Sequence, residues 1–413
     1  MALVNEDYLK LPENYLFTEI ARKINIFKTM RPKAKVIHLD AGDSSSILKG
    51  EVINTLHHSI DEMVDMGGVK NFDMENRHKS LIAKILKNDY IPRGVKLTPE
   101  EVFLSDCSKN SAEEISEIIS KDNIVGVLDP TYPAYIYSSV MNGRAGEQMG
   151  DGRWSNLAYI PCNWENGFIP EIPKQKLDVI YLSLPNNPTG TVLNFDELKK
   201  WVKYAVNNRA LIIFDAAHAL YVTEEDIPRS IYEIKGAKKV AVEIRSFSKT
   251  TGYTGTNFSF IIIPNEVMAY TQLSVGVSIN KLWHRRQISK FSGIPYLSLR
   301  TAEAMYTPEG MKEKKELADY YMTNALLIRN SLLKLGWELQ GGINSPYVWV
   351  KTPKGINSWR FFEQLLYEVH VVCTPGVGFC PGGEGYVRFT GFNKREEVEE
   401  AMERMKKMDK SFE

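Results

Sequence analysis

The sequence predicts an α/β fold, with a large domain on a mostly parallel sheet flanked by helices and a smaller α+β domain. Three observations carry this reading. Short apolar runs recur between residues 100 and 265, amphipathic charged stretches alternate with them, and the texture changes after residue 300. A chain of 413 residues also suits two domains better than one small module.

The apolar runs are Glu101–Ser105, Asn123–Leu128, Asp178–Leu184, Ala210–Phe214, Lys239–Ile244 and Phe258–Ile263. They are rich in Val and Ile and apolar on consecutive positions, the pattern of strands buried on both faces. Between them, stretches such as Phe195–Asn207 place apolar residues three and four apart, as a one-sided helix requires. Strand and helix in alternation imply parallel strands with helical crossovers. Beyond residue 300 the pattern predicts a long helix over Pro308–Leu335, a strand at Tyr347–Val350 and a helix over Ser358–Val369. Strands near Val371–Cys373 and Tyr386–Phe389 follow, then a closing helix from Lys394 to Met408. Residues 1–45 read as an arm with one helix and one strand that includes part of the small domain. Residues 46–295 then form the large domain and 296–413 the C-terminal small domain.

Composition narrows the class of function. With 43% hydrophobic and 25% charged residues the chain is ordinary for a globular protein and too apolar for a disordered one. Lys+Arg, 51, equals Asp+Glu, 51, so no net field favours nucleic acid or an anionic membrane. No apolar run approaches the roughly 18–20 residues of a membrane span, and the first residues carry acids with no signal-type apolar stretch. Cys107, Cys162, Cys373 and Cys380 match neither a disulfide framework nor a metal knuckle. The expectation is a cytoplasmic protein that handles a small molecule, without metal, nucleic-acid or membrane partners.

Parallel sheets bind ligands at the carboxyl ends of their strands, and four polar features stand there. Pro185-Asn186-Asn187-Pro188-Thr189-Gly190 follows one run, and Asp215 ends Leu211-Ile212-Ile213-Phe214-Asp215. Arg245-Ser246-Phe247-Ser248-Lys249-Thr250-Thr251-Gly252 follows another, and Arg388 lies inside Gly385-Tyr386-Val387-Arg388-Phe389. Each has an ordinary reading: a turn, a helix cap, a surface lysine, half of a salt bridge. Each also has a chemical one. A partly desolvated Lys249 can form a Schiff base, and Ser246 and Ser248 suit a phosphate. Asp215 can pair with a protonated pyridine nitrogen, Asn187 can donate to a phenolic oxygen, and Arg388 can hold a carboxylate bidentately. Their order and placement at strand ends favour the chemical readings together.

With these motifs in place, the chain resembles the pyridoxal-phosphate-dependent aminotransferases of fold type I, class I/II, and within them the LL-diaminopimelate subgroup. The resemblance runs nearly end to end, through Tyr15-Leu16-Phe17, Asp129-Pro130-Thr131-Tyr132-Pro133, Val140-Met141-Asn142-Gly143-Arg144, Glu243–Thr250, Arg285-Arg286-Gln287, Gly341–Val350 and Thr374–Phe379. It implies a seven-stranded sheet, pyridoxal 5'-phosphate as cofactor, an amino-acid substrate, and a homodimer with active sites at the interface. It also implies roles. Lys249 would bind the cofactor and shuttle the substrate proton, Asp215 would hold the pyridinium, Asn187 would bond the ring hydroxyl, and Tyr132 would stack on the ring. Ser108, Lys109, Ser246 and Ser248 would cradle the phosphate, Arg388 would clamp the α-carboxylate, and Glu75 would reach a distal amino group across the dimer.

The chain departs from the family pattern inside that same shell. An Arg that pairs with the phosphate is Asn257, and a partner-subunit Tyr is replaced in Asn71-Phe72-Asp73-Met74. The Tyr three residues after the pyridinium Asp is His218, the Asn before the Arg pair is His284, and a Gly before the phosphate loop is Cys107. His218 and His284 are therefore expected in the cofactor shell, His218 titrating near neutrality as a candidate acid or base, and Phe72 near the substrate. Three functions follow: an aminotransferase; a relative that catalyses elimination, replacement or carbon–carbon bond formation; or an inactive paralogue.

Overall fold

The computed structural model describes residues 1–12, 16–42, 50–65, 74–251 and 257–408. Its large sheet has seven strands: β1 (Val102–Ser105), β2 (Val125–Asp129), β3 (Leu157–Pro161), β4 (Val179–Ser183), β5 (Leu211–Asp215), β6 (Ala241–Ser246) and β7 (Ser259–Ile262). They lie in the order β1-β7-β6-β5-β4-β2-β3. All pairings are parallel except those of β7, which runs antiparallel to both β1 and β6.

The continuous apolar runs are explained by a core on each face. Along β4 and β5, Ile180, Leu182, Ile212 and Phe214 join one cluster, while Val179, Tyr181, Leu211 and Ile213 join the other. Successive side chains point to opposite faces, so both sets must be apolar. β3 lies outside the six runs read from sequence. It is one of the two edge strands, half-buried in its middle, and Leu-Ala-Tyr-Ile-Pro lacks the unbroken apolar character of the centre.

Local signals set the helices. In Phe195–Asn208, Asn194 accepts the Glu197 N–H and Glu197 returns a bond to the Asn194 N–H, a capping box. That helix buries Leu198, Trp201, Val202 and Ala205. The helix Pro308–Lys334 starts on Thr307, whose side chain accepts from the Gly310 N–H, with proline in the first turn. Gly310 has no substitute there, since a Cβ would lie 2.0 Å from the Ala304 carbonyl oxygen.

The C-terminal sheet is antiparallel, with β8 (Leu339–Gly341), β9 (Tyr347–Lys351), β10 (Thr374–Pro375) and β11 (Tyr386–Thr390) in the order β8-β9-β11-β10. β8 was not legible as a strand. The expected Val371–Cys373 strand resolves into Val371–Val372, which pairs parallel with Ile37–His38, and β10, which joins the other sheet. The N-terminal helix Leu16–Met30 buries Leu16, Ile20, Ile24 and Phe27, a stripe at helical spacing. Among the described residues no helix is long and apolar enough to cross a membrane, and all four cysteines are free thiols.

Candidate active site

The sheet gathers the candidate residues at one edge. Ser108 follows β1, Tyr132 follows β2 and Asn187 follows β4; Asp215 ends β5, Ser246 ends β6, and Lys249 lies in the short helix Ser248–Thr251 just beyond. These five strands run in the same sense, so their carboxyl ends share an edge. The C-terminal antiparallel sheet meets it closely. Gly190 (φ 71°) and Gly341 (φ 82°) lie back to back: a Cβ on Gly190 would be 3.0 Å from the Gly341 Cα, and one on Gly341 would be 2.4 Å from the Tyr347 carbonyl oxygen. Glycine alone permits both the left-handed backbone and the contact. This packing sets the Pro185–Gly190 loop against β8 and β9.

Arg388, on β11, is buried with 1% of its surface exposed. It donates to the Asn187 Oδ1 (2.6 Å), the Asp40 carbonyl (3.1 Å) and the Thr374 Oγ1 (3.3 Å). Its guanidinium lies between the rings of Tyr347 and Phe379, 4.7 and 4.9 Å from their centroids. Lys249 donates from Nζ to the Gly42 carbonyl at 2.8 Å. Burial first, and the charge of Arg388 second, lower its pKa from 10.5 to about 7. Asp215 accepts from the Tyr135 hydroxyl (2.5 Å) and the Ala217 N–H (3.0 Å). No cation pairs with it among the described residues, and burial raises its pKa against the pull of those two donors. The site thus holds a deprotonable amine, a buried carboxylate short of a positive partner, and a caged guanidinium.

Three comparisons show what the chain is similar to. The family model for aminotransferase class I and II matches residues 34–405. LL-diaminopimelate aminotransferases from Bacteroides fragilis and Phocaeicola vulgatus are each 51% identical over 407 residues, covering 98% of this chain and 99% of theirs. The solved structure of L,L-diaminopimelate aminotransferase from Chlamydomonas reinhardtii superposes with a TM-score of 0.91 at 32% identity, covering 98% of both chains. The chain belongs to the class I and II aminotransferases.

As a class I and II aminotransferase it is an enzyme that uses pyridoxal 5'-phosphate and an amino-acid substrate, with the fold type I architecture. The likeness favours amino transfer over elimination, replacement or carbon–carbon bond formation. The residues present fit the cofactor. Asp215 offers a desolvated carboxylate suited to a protonated ring nitrogen, and Lys249 offers an amine near neutrality at the same sheet edge.

Around this aminotransferase centre the other candidates are placed unevenly. Ser108 and Lys109 open the helix Ser108–Glu114; Ser246 is buried; and the Ser248 Oγ donates to the exposed Asn257 at 3.2 Å. Tyr132 packs edge to face on Tyr135, 5.8 Å between centroids, and Tyr135 stacks on Tyr181 at 4.8 Å. His284 lies exposed on the helix Ile279–Lys290, its ring 6.5 Å from Phe103, and makes no hydrogen bond to the cradle residues among the described residues. Glu75 is in the first turn of the helix Met74–Ile85, where it accepts from Lys79 at 2.7 Å with 81% of its side chain exposed. Phe72 falls outside the described residues.

His218 corrects one expectation. It is buried, and burial together with the nearby Arg388 pushes its pKa from 6.5 down to about 3. It therefore stays neutral near pH 7 and does not titrate there. Its Nε2 is 2.7 Å from the Tyr347 Oη. Tyr347, Tyr135 and Phe379 belong to the site and were not singled out from sequence. Tyr135 could have been found from its position three residues after Tyr132. Tyr347 and Phe379 had no local signal, because strand pairing and tertiary packing bring them to Arg388.

Proposed function

We propose that the chain transfers the α-amino group of LL-diaminopimelate to 2-oxoglutarate, as a homodimer in the cytoplasm. Arg388 is the observation that carries this reading. A buried guanidinium between two rings, beside an amine whose pKa is about 7, suits a molecule with an amino group and a carboxylate on one carbon. The names of the relatives at 51% identity supply the particular substrate.

When bound, pyridoxal 5'-phosphate supplies an aldehyde that amines add to and a ring that takes up the electron pair left when the Cα–H bond breaks. The chain's residues supply the rest. Arg388 binds the α-carboxylate through its fork, and Asn187 holds that fork in place. Lys249 anchors the cofactor and, in turn, carries the Cα proton on Nζ, a task for which a pKa near the working pH is best. Asp215 keeps a proton at the ring nitrogen, and Tyr132 covers the ring face. Ser108, Lys109, Ser246, Ser248 and Asn257 hold the phosphate. Neutral His218 fixes Tyr347 against Arg388. Glu75, in the first turn of the helix Met74–Ile85, meets the distal end of a substrate in the neighbouring subunit, a role also given to Phe72, and His284 lies at the rim of the cofactor shell.

We assign residues 46–295 to the large domain and 296–413, with part of 1–45, to the small one. The pairing of Ile37–His38 with Val371–Val372 supports giving part of the arm to the small domain. The test is glutamate formation from LL-diaminopimelate and 2-oxoglutarate by the cofactor-loaded protein, with L-lysine and L-aspartate as alternative donors. Turnover with LL-diaminopimelate well above the other two is expected. Turnover with another donor and none with LL-diaminopimelate would overturn the substrate.

A further inference from the structure

A cavity of about 120 Å³ opens beside β6, its wall including Asp89, Arg93, Arg229, Arg245 and Lys314. Of the residues assigned above to the cofactor, Ser246 also lines it, while Ser108, Lys109, Ser248, Lys249 and Asn257 do not. Strand geometry explains the separation. Side chains alternate along β6, so Arg245 leaves the face opposite to Ile244 and Ser246. Ile244 packs with Ile213, which shares its face of β5 with Asp215. Arg245 pairs across the ladder with Phe260, which belongs to the other core cluster and also walls the cavity. Arg245 and Phe260 thus meet the cavity from the face of the sheet opposite to Asp215, and Ala216, Ala217 and Ser246 close its wall at the strand ends.

Its charges do not balance at the wall. Arg245 gives Nε to Glu243 at 2.7 Å and another nitrogen to the Arg229 carbonyl at 2.7 Å. Arg229 donates to the Val222 carbonyl at 2.8 Å, and Arg93 stands 3.9 Å from Glu233. Asp89, the one carboxylate in the wall, accepts from the Tyr306 hydroxyl at 2.5 Å. Lys314 rests 5.0 Å from the Tyr306 ring centroid and meets no carboxylate among the described residues. Four cations from four separate segments thus face a small half-buried space with one acid. Burial chiefly, and the neighbouring Arg229 and Arg245 to a smaller extent, lower the pKa of Arg93 against the pull of Glu233 and Asp89.

We propose that this cavity binds a small tetrahedral oxyanion, held by the guanidinium groups of Arg93 and Arg229 and the ammonium of Lys314. Guanidinium forks match phosphate and sulfate oxygens, and an anion relieves the repulsion among the cations. Lys314 lies in the second turn of the helix Pro308–Lys334 and Arg93 in the short helical turn Ile91–Arg93, so the anion fastens the start of that helix to that turn. Free phosphate and the phosphoryl group of a small metabolite present this same chemistry.

The test uses the protein saturated with pyridoxal 5'-phosphate, titrated with inorganic phosphate and separately with glycerol 3-phosphate. Binding is read by calorimetry, while the cofactor absorbance shows that its own site is undisturbed. Saturable phosphate binding is expected, weakened at least about tenfold in Lys314→Gln and in Arg93→Gln, as befits loss of one charge-assisted contact. Lys314→Arg should retain it. Glycerol 3-phosphate binding with the same dependence assigns the site to a phosphorylated metabolite, and phosphate binding alone assigns it to the free ion. No saturable binding of either probe, or equal affinity in the wild type and both neutral variants, overturns the proposal, whatever the outcome of the amino-transfer assay.

Discussion

His218 Nε2 and Tyr347 Oη are 2.7 Å apart, and the two rings meet at 66° with centroids 5.0 Å apart. The pair is buried beside Arg388: burial first and Arg388 second lower the pKa of His218, while burial raises that of Tyr347 to about 12. Neither group changes charge near pH 7, so the pair is a fixed dipole against the guanidinium.

This makes His218 an acid-lability site. Its folded pKa of about 3 lies below the ordinary 6.5, so the unfolded chain binds more protons in that window. Stability therefore falls as pH drops from 6.5 towards 3. His218→Gln should flatten that part of the profile of denaturation midpoint against pH. The activity profile should show no limb from His218 between pH 6 and 9.

Removing the hydroxyl in Tyr347→Phe leaves a buried imidazole without its partner. A loss of about 1–3 kcal/mol in unfolding free energy is expected, measured by chemical denaturation.

Lys249 sets the pH at which cofactor is taken up. The neutral amine reacts, and burial with Arg388 brings its pKa to about 7 from 10.5. The rate at which cofactor-free protein gains the absorbance of bound pyridoxal 5'-phosphate should rise through pH 7. In Arg388→Gln that midpoint should move upward. Lys249→Ala should lower amino transfer by about 10²–10⁴-fold or more.

Arg388→Lys keeps the charge and loses the fork. The Michaelis constant for the 2-oxo acid should rise roughly 10–150-fold, the equivalent of one charge-assisted contact. An unchanged constant would remove Arg388 from carboxylate binding.

Asn257 is exposed and accepts from Ser248. Asn257→Arg should tighten cofactor binding about 10–150-fold if it adds a charged phosphate contact, read as the dissociation constant from absorbance titration.

Much of the large sheet was legible because its central strands are buried on both faces and so leave unbroken apolar runs. β3 escaped because Ala158 and Tyr159 in its middle are only half-buried and break the apolar run, and β8 because three residues ending in Gly341 carry too little pattern. Lys249, Asp215, Asn187 and Arg388 could be singled out because chemistry at a strand end leaves a polar residue after an apolar run. Tyr347 could not, since it reads as an ordinary aromatic inside β9 and acquires its partner only when β9 packs beside the segment holding His218. Burial also reverses the expectation for His218: its residue type suggests a titrating group and its surroundings forbid one.

One short stretch of main chain engages both ends of the site. Arg388 donates to the carbonyl of Asp40 and Lys249 to the carbonyl of Gly42. A ligand that engages the amine and the guanidinium competes with these carbonyls for their donors. Association is then an exchange of hydrogen bonds, in which the backbone near residue 40 acts as a built-in competitor. Its affinity for the catalytic groups is subtracted from that of every molecule the site receives.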